Sequence, residues 1–187
     1  MIGIADVNER GEKIIMCKLG VSWGFESERY SFPSGHPLNS SRTELFAGSL
    51  RKLAIEQSDE VLITKPVPAS EEDLLLFHEG EYVQFVKESS DQGNGFLDYG
   101  DTPSFPGVYE ASTYTVGSTL YGLDQTLSAN NNFDHCFNPV GGLHHARRER
   151  AGGFCVFNDC AVAISKTISK LGMKRVAYVD IDARHRY

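Results

Sequence analysis

Apolar positions recur with helical spacing in several windows of the chain. Leu45, Phe46, Leu50 and Leu53 share one face of a helix expected from Thr43 to about Gln57, with Ser40 or Ser41 as its cap. Ser70, followed by Glu71, Glu72 and Asp73, reads as a capping box that opens a second helix. Tyr82, Val83, Phe85 and Val86 make an amphipathic piece from Glu81 to Glu88. Val108 to Ser128 predicts a long helix, and its small residues Ala111, Gly117, Ser118 and Gly122 predict close packing against a neighbour. Asn158 to Leu171 is a further helix, stopped by Gly172.

Short runs of strand character lie between and beyond these helices. They are Lys13 to Leu19, Val61–Thr64, Asp134–Phe137 and the nearly continuous apolar run Arg175–Ile181. Ser22 to Ser41 reads as a long surface loop, and Ser90 to Asp101 as a Gly/Asn/Asp loop. A helix, a glycine stop and a β-branched apolar strand ending in acids are the pattern of an αβ unit in a parallel sheet. The expected fold class is α/β, a mostly parallel sheet flanked by helices. Asp180 and Asp182, two positions apart, share a face at the carboxyl end of the last run, where sites in such sheets lie.

Composition narrows the class. With 41% hydrophobic residues and 11 Phe, 8 Tyr and one Trp in 187 positions, the chain is not of the disordered type. A net charge of −7 argues against direct nucleic-acid binding through a basic surface. No uncharged apolar run reaches the roughly 18 residues a membrane helix needs, and the N-terminus lacks a secretory pattern. Cys17, Cys136, Cys155 and Cys160 form no CxxC pair and no disulfide framework. A cytoplasmic protein (nuclear in a eukaryote), not secreted and not membrane-bound, is expected.

Two constellations carry chemistry. The first is the pair His144–His145 on the loop Gly141-Gly142-Leu143-His144-His145-Ala146. A bare histidine pair is more often a solvated loop than a site, but flanking glycines let backbone approach a ligand, and the later acidic run favours a site. The second is Asp180 with Asp182: one carboxylate can orient a histidine and the other can bind a metal. The plainer alternative is an acidic strand end paired with Arg184. His36 is expected to be structural in its loop, His78 and His135 to serve packing or surface, and Cys155 and Cys160 to be small buried hydrophobes.

The segment GGLHHARRERAGGFCVFNDCAVAI, followed by RVAYVDIDA, resembles the zinc-dependent histone deacetylase family, including its acetoin-utilisation-type prokaryotic relatives. Gly35-His36-Pro37 with Arg42 is similar to that family's GHP…R segment, and Asp101-Thr102-Pro103 with Gly107 to its rim loop. The resemblance runs from about residue 20 to 183 and implies an arginase/deacetylase-like fold. It implies residues 1–19 as a leader with a possible first strand, and residues 20–187 as the N-terminal part of a deacetylase domain, incomplete at its C-terminal side.

Carried over by position, the resemblance implies Zn2+ as cofactor and hydrolysis of acetyl-lysine, in a protein or peptide, or of a small acetylated amide. His144 and His145 would be the catalytic acid/base pair, with Asp180 accepting a hydrogen bond from His144, and Asp182 would be a metal ligand. Gly153 and Phe154 would line the substrate tunnel, Asp101 would bind substrate at the rim, and Arg42 would lie near an inner channel.

The family pattern D-x-D-x-H-H-G-D-G breaks after Ala183. Arg184 stands at the position of a zinc-ligand histidine, and a guanidinium has no lone pair to give a metal. His185 is a poor substitute, because its spacing from Asp182 is three rather than two and turns it to the other face of a strand. A second ligand aspartate and an oxyanion-stabilising tyrosine have no counterpart. Close agreement followed by an abrupt break points to a truncation or frame change near position 184. The expectation is a deacetylase fragment inactive alone. The alternative is a catalytically dead protein or acyl-ligand-binding module, and an arginase-like ureohydrolase would need a different His/Asp pattern.

Overall fold

A computed structural model describes residues 18–33, 35–128 and 133–183. Three short strands form one parallel sheet in the order β2-β1-β3: β1 is Leu19–Ser22, β2 is Val61–Thr64 and β3 is His135–Phe137. Val21 at the centre pairs in register with Ile63 on one side and Phe137 on the other. Parallel neighbours need crossovers, and helices supply them. Helices α1 (Phe25–Glu28) and α2 (Ser41–Lys52) lie between β1 and β2 in the chain. Helices α3 (Glu71–Leu74), α4 (Gly80–Gln92) and α5 (Val108–Leu127) lie between β2 and β3, and α6 (Asp159–Ser169) follows. The α/β class with a parallel sheet and flanking helices is thus observed.

Local chemistry explains the ends of several elements. Ser70 accepts from the Asp73 N–H while Asp73 accepts from the Ser70 N–H, a complete capping box at the start of α3. Asn158 caps α6 through the Ala161 N–H. Helix α4 runs on to Gln92 and closes on Gly93 in the left-handed conformation, so the expected loop begins at Gly93 rather than at Ser90.

The core forms where α4, α5 and α6 meet the loop before α6. Leu74, Val83, Val86, Val108, Val116, Val156, Phe157 and Val162 are fully buried there. Each such side chain is worth roughly 1.5–3 kcal/mol relative to exposure. Helix α5 approaches its neighbours through Gly117 and Gly122; a methyl group on Gly122 would lie 2.6 Å from Cys136 Sγ of β3.

Four expectations need correction. The first strand begins at Leu19, and residues 1–17, which hold most of the expected leader and the start of the expected run, lie outside the described residues. Ser22 to Ser41 is not a surface loop, because it contains α1 and sends Tyr30 and Phe32 into the core. Helix α2 buries Thr43, Ala47 and Leu50, whereas Leu45 and Leu53 are exposed. Its start is held by Asn39, whose Oδ1 accepts from the Ser41 N–H at 3.0 Å, while Ser40 makes no side-chain cap.

The fourth correction concerns Arg175–Ile181, which is not a strand: among the described residues it pairs with no strand, and Val179 and Ile181 are 80% and 95% exposed. β-branched residues favour a pleated surface only where neighbours supply one, and β1, β2 and β3 do not flank this run.

Candidate active site

The loop carrying the histidine pair is suspended from one buried carboxylate. Asp159, the first residue of α6 and only 1% exposed, accepts from the N–H of Gly142 at 3.0 Å and of Leu143 at 2.7 Å. It also accepts from the Thr119 hydroxyl of α5 at 2.6 Å. A negative charge at a helix N-terminus is favourable. The neighbouring Asn158 donates its amide to the carbonyls of His144 and Ala146, both at 2.9 Å.

His78, 2% exposed in the turn before α4, supports the same assembly from behind. Its Nε2 accepts from the Asn158 N–H at 3.0 Å, so Nδ1 carries the proton and donates to the Arg148 carbonyl at 3.3 Å. Burial pushes this imidazole down from 6.5 to about 4, against the pull of the Arg148 and Arg147 backbone. The folded state therefore binds fewer protons here than the unfolded state between those two values, and stability falls as pH drops through that window. By linkage roughly 3 kcal/mol of stability is present in full above the unfolded value and lost below the folded one. Urea titrations from pH 7.5 to 4 are expected to show this decline, and His78→Gln to lack that component.

Both imidazoles turn toward the segment ending at Asp182. His144 Nδ1 lies 2.8 Å from Asp180 Oδ2, and the carboxylate is an acceptor, so Nδ1 donates. Asp180 also accepts from the Tyr178 hydroxyl and the Asp182 N–H, both at 2.9 Å. At the opposite edge of the ring, His144 Nε2 lies 3.0 Å from His145 Nε2 and 3.4 Å from Asp182 Oδ2. His145 Nε2 lies 3.2 Å from the same oxygen.

Gly153 lies directly against His145, and Phe154 follows it. Gly153 has φ +52°, and a methyl group there would lie 2.8 Å from the His145 ring. Phe154 also has a positive φ, 71°, a conformation that costs a bulky residue about 1–3 kcal/mol. Both ends of its backbone are tied down. Its N–H donates to Thr102 Oγ1 at 3.1 Å and its carbonyl accepts from the Tyr30 hydroxyl at 2.7 Å. Thr102 in turn donates to Asp98, which also accepts the N–H of Gly100, Asp101 and Thr102. Burial pushes the Asp98 carboxyl up, but those four bonds outweigh it and hold the group below the usual carboxylate range.

Two hollows flank the loop. An outer one of about 280 Å³ is lined by Tyr99, Asp101, His145, Arg147, Arg150 and Gly153. An inner one of about 300 Å³ is lined by Trp23, Arg42, Phe46, Gly141 and Leu143 among others. Asp101 and Arg42 thus lie on different hollows, the first with His145 and the second with Gly141 and Leu143 of the loop. His36 bridges the rim, its Nε2 3.1 Å from the Asp101 carbonyl and its ring 4.5 Å from Phe154. Burial pushes the thiols of Cys155 and Cys160 up to about 12, so both remain protonated and unsuited to ligation.

Tyr30, Asp98, Tyr178 and Asp159 carry the site without an assigned role in the sequence, and His78, expected to serve packing or surface, is buried and holds Asn158. Asp159 is the one with a local signal, an acid at the first position of a capped helix directly after a histidine-bearing loop. Arg184 and His185 lie outside the described residues. By residue type an arginine gives no lone pair to a metal, so residue 184 adds no ligand beside Asp182.

The Histone deacetylase domain family matches residues 36–186. Acetoin utilization protein AcuC of Bacillus subtilis is 40% identical over 165 residues, covering 84% of this chain and 41% of that protein. Histone deacetylase 1 of Oryza sativa subsp. japonica is 32% identical over 179 residues, 90% of this chain and 33% of that one. The crystal structure of an HDAC homolog from Aquifex aeolicus superposes with a TM-score of 0.72 at 31% identity, over 90% of this chain and 45% of the other. The chain spans less than half the length of these relatives. With the family match extending over most of its residues and through both motifs of the site, the chain belongs to the histone deacetylase family.

Proposed function

We propose that the chain carries the acyl-binding and proton-transfer part of a zinc-dependent deacetylase acting on acetylated lysine, in a peptide or as a small acetylated amide. One observation carries this reading: two imidazoles lie beside Asp182, His144 held by Asp180 and His145 lining a hollow that it shares with Gly153 and Asp101. In it, the Nδ1–H donated to Asp180 fixes the ring of His144 and leaves Nε2 as the basic atom. His145 and His144 move the proton between water and the leaving amine. Gly153, which leaves no side chain against His145, and Phe154 confine the aliphatic stem, and Asp101 accepts from substrate backbone. Arg42, on the inner hollow, suits a carboxylate product such as acetate.

With an arginine at residue 184, hydrolysis by this chain as it stands is expected at background level, and binding without turnover is the alternative function. A cytoplasmic location, or a nuclear one in a eukaryote, belongs to the same reading.

An acetyl-lysine peptide titrated into the metal-free, isotope-labelled chain tests the binding part. Resonances of His145, Gly153 and Asp101 are expected to shift, and Gly153→Ala to abolish those shifts by displacing the His145 ring. An unacetylated peptide giving the same shifts, or no shifts with either, would overturn the reading.

A further inference from the structure

We propose that Arg147 and Arg150 make the outer hollow selective for acetyl-lysine with a carboxylate beside it, and turn away cationic acetylated amines. The carboxylate would come from an acidic neighbour in a peptide or from the lysine's own α-carboxyl group. This inference rests on the deacetylase reading and names the substrate class of the same site.

Three arginines stand close together just after the histidine pair, and the backbone sorts them. The Arg147 N–H donates to the Arg150 carbonyl at 2.8 Å and ties the ends of this short segment together. Between them, the Arg148 carbonyl accepts from the Glu79 N–H at 2.9 Å and from His78 Nδ1 at 3.3 Å. The Arg148 side chain lies over the Phe77 ring, 5.4 Å from its centroid, and does not line the hollow. Arg147 and Arg150 do line it, together with His145, Tyr99, Asp101 and Gly153. His145 is half-buried, whereas Tyr99, Asp101 and Arg147 are exposed. An acetyl group directed to His145 therefore leaves the lysine backbone and its neighbours at the edge where the arginines stand.

Arg150 is held ready for an anion. Its Nη1 donates to the Tyr99 hydroxyl at 3.1 Å, and its Cζ lies 5.1 Å from that ring's centroid. A guanidinium fixed on an aromatic ring loses less freedom on taking a carboxylate, and its remaining N–H groups are there to donate. Among the described residues neither Arg147 nor Arg150 is ion-paired to a carboxylate. Of the acids on the lining, Asp98 turns its oxygens to the N–H of Gly100, Asp101 and Thr102 and to the Thr102 hydroxyl. Asp101 is the exposed one. In a chain of net charge −7 the overall field disfavours an acidic ligand, so a preference for one has to arise from these local groups.

Two pairs of probes, titrated into the metal-free, isotope-labelled chain with the His145 and Gly153 amide resonances as readout, test the proposal. One pair is an acetyl-lysine peptide with glutamate, or with glutamine, on each side. The other is Nα-blocked Nε-acetyl-lysine with its carboxylate free or amidated. In at least one pair the anionic member is expected to bind about 3–10-fold more tightly at low salt, and the gain to shrink as salt is raised. The pair that shows the gain identifies the source of the carboxylate. Arg147→Gln with Arg150→Gln, its fold checked by circular dichroism, is expected to abolish the preference. Equal affinity within both pairs, or a preference that survives the double substitution, would overturn the proposal. The deacetylase reading would still stand if the neutral acetylated probes bind, whereas no binding by any probe would overturn both.

Discussion

Replacing Asp159 with alanine is expected to cost more stability than any other single change at the site, and to dismantle the site as it does so. In a space closed to solvent the carboxylate accepts from the Gly142 and Leu143 N–H and the Thr119 hydroxyl, with a longer contact from the Cys160 thiol at 3.9 Å. Bonds to a charged acceptor contribute about 1.5–3 kcal/mol each, and donors left buried without a partner bear their own desolvation cost. Water entering the vacated space recovers part of this, so a loss of about 4 kcal/mol is expected.

Asp159→Asn separates charge from shape. Its oxygen still accepts, but its amide group faces N–H donors, and an intermediate loss is expected. Denaturant titration gives the stability change. Amide shifts of Gly142 to His145 give the local one, and those four residues are expected to move furthest.

The second large effect is expected from Gly117→Ala. In an isolated helix this change stabilises by about 1 kcal/mol, because alanine is the better helix former. In α5 the added methyl would sit 2.1 Å from the Val67 carbonyl oxygen and 2.4 Å from the Ala69 nitrogen. Both are backbone, and the Ala69 N–H donates to the Thr113 carbonyl of α5 at 2.9 Å, so the segment cannot retreat without breaking that bond. Overpacking costs typically about 1–3 kcal/mol and more where backbone must move. A net loss of about 3 kcal/mol is expected, read as a lower denaturant midpoint. A stability gain would show that Val67–Ala69 does not pack on α5.

These two positions show what local pattern does and does not disclose. The small residues of α5 announce close packing before any partner is known, because only a nearby backbone makes glycine worth its entropy in a helix. Helices α5 and α6 and strand β2 were legible for the same reason: periodicity, caps and breakers act within a few residues. The buried face of α2 was not, since Thr43 and Ala47 pack where the larger Leu45 and Leu53 were expected to. The run Arg175–Ile181 has strand composition, but a strand is a pairing, and composition does not carry the partner.

At the site, the histidine pair and the two aspartates stand out because chemistry concentrates there. The groups that hold them do not. Tyr30 meets Val156 across 126 positions, and His78 reaches Asn158 across 80. Each is one polar residue with nothing in its own neighbourhood to mark it.

Acetate release from an acetyl-lysine peptide, followed in the presence of zinc for the chain as it stands and for Arg184→His, tests the deacetylase reading most directly. Background release by the unaltered chain is the expected result; Arg184→His restores one ligand position but neither the second aspartate nor the oxyanion-stabilising tyrosine, so its zinc-dependent release is expected to be weak and to be lost again when His144→Ala is added. Release well above background by the unaltered chain, or release that survives His144→Ala, would contradict the proposed roles of the histidine pair and of residue 184.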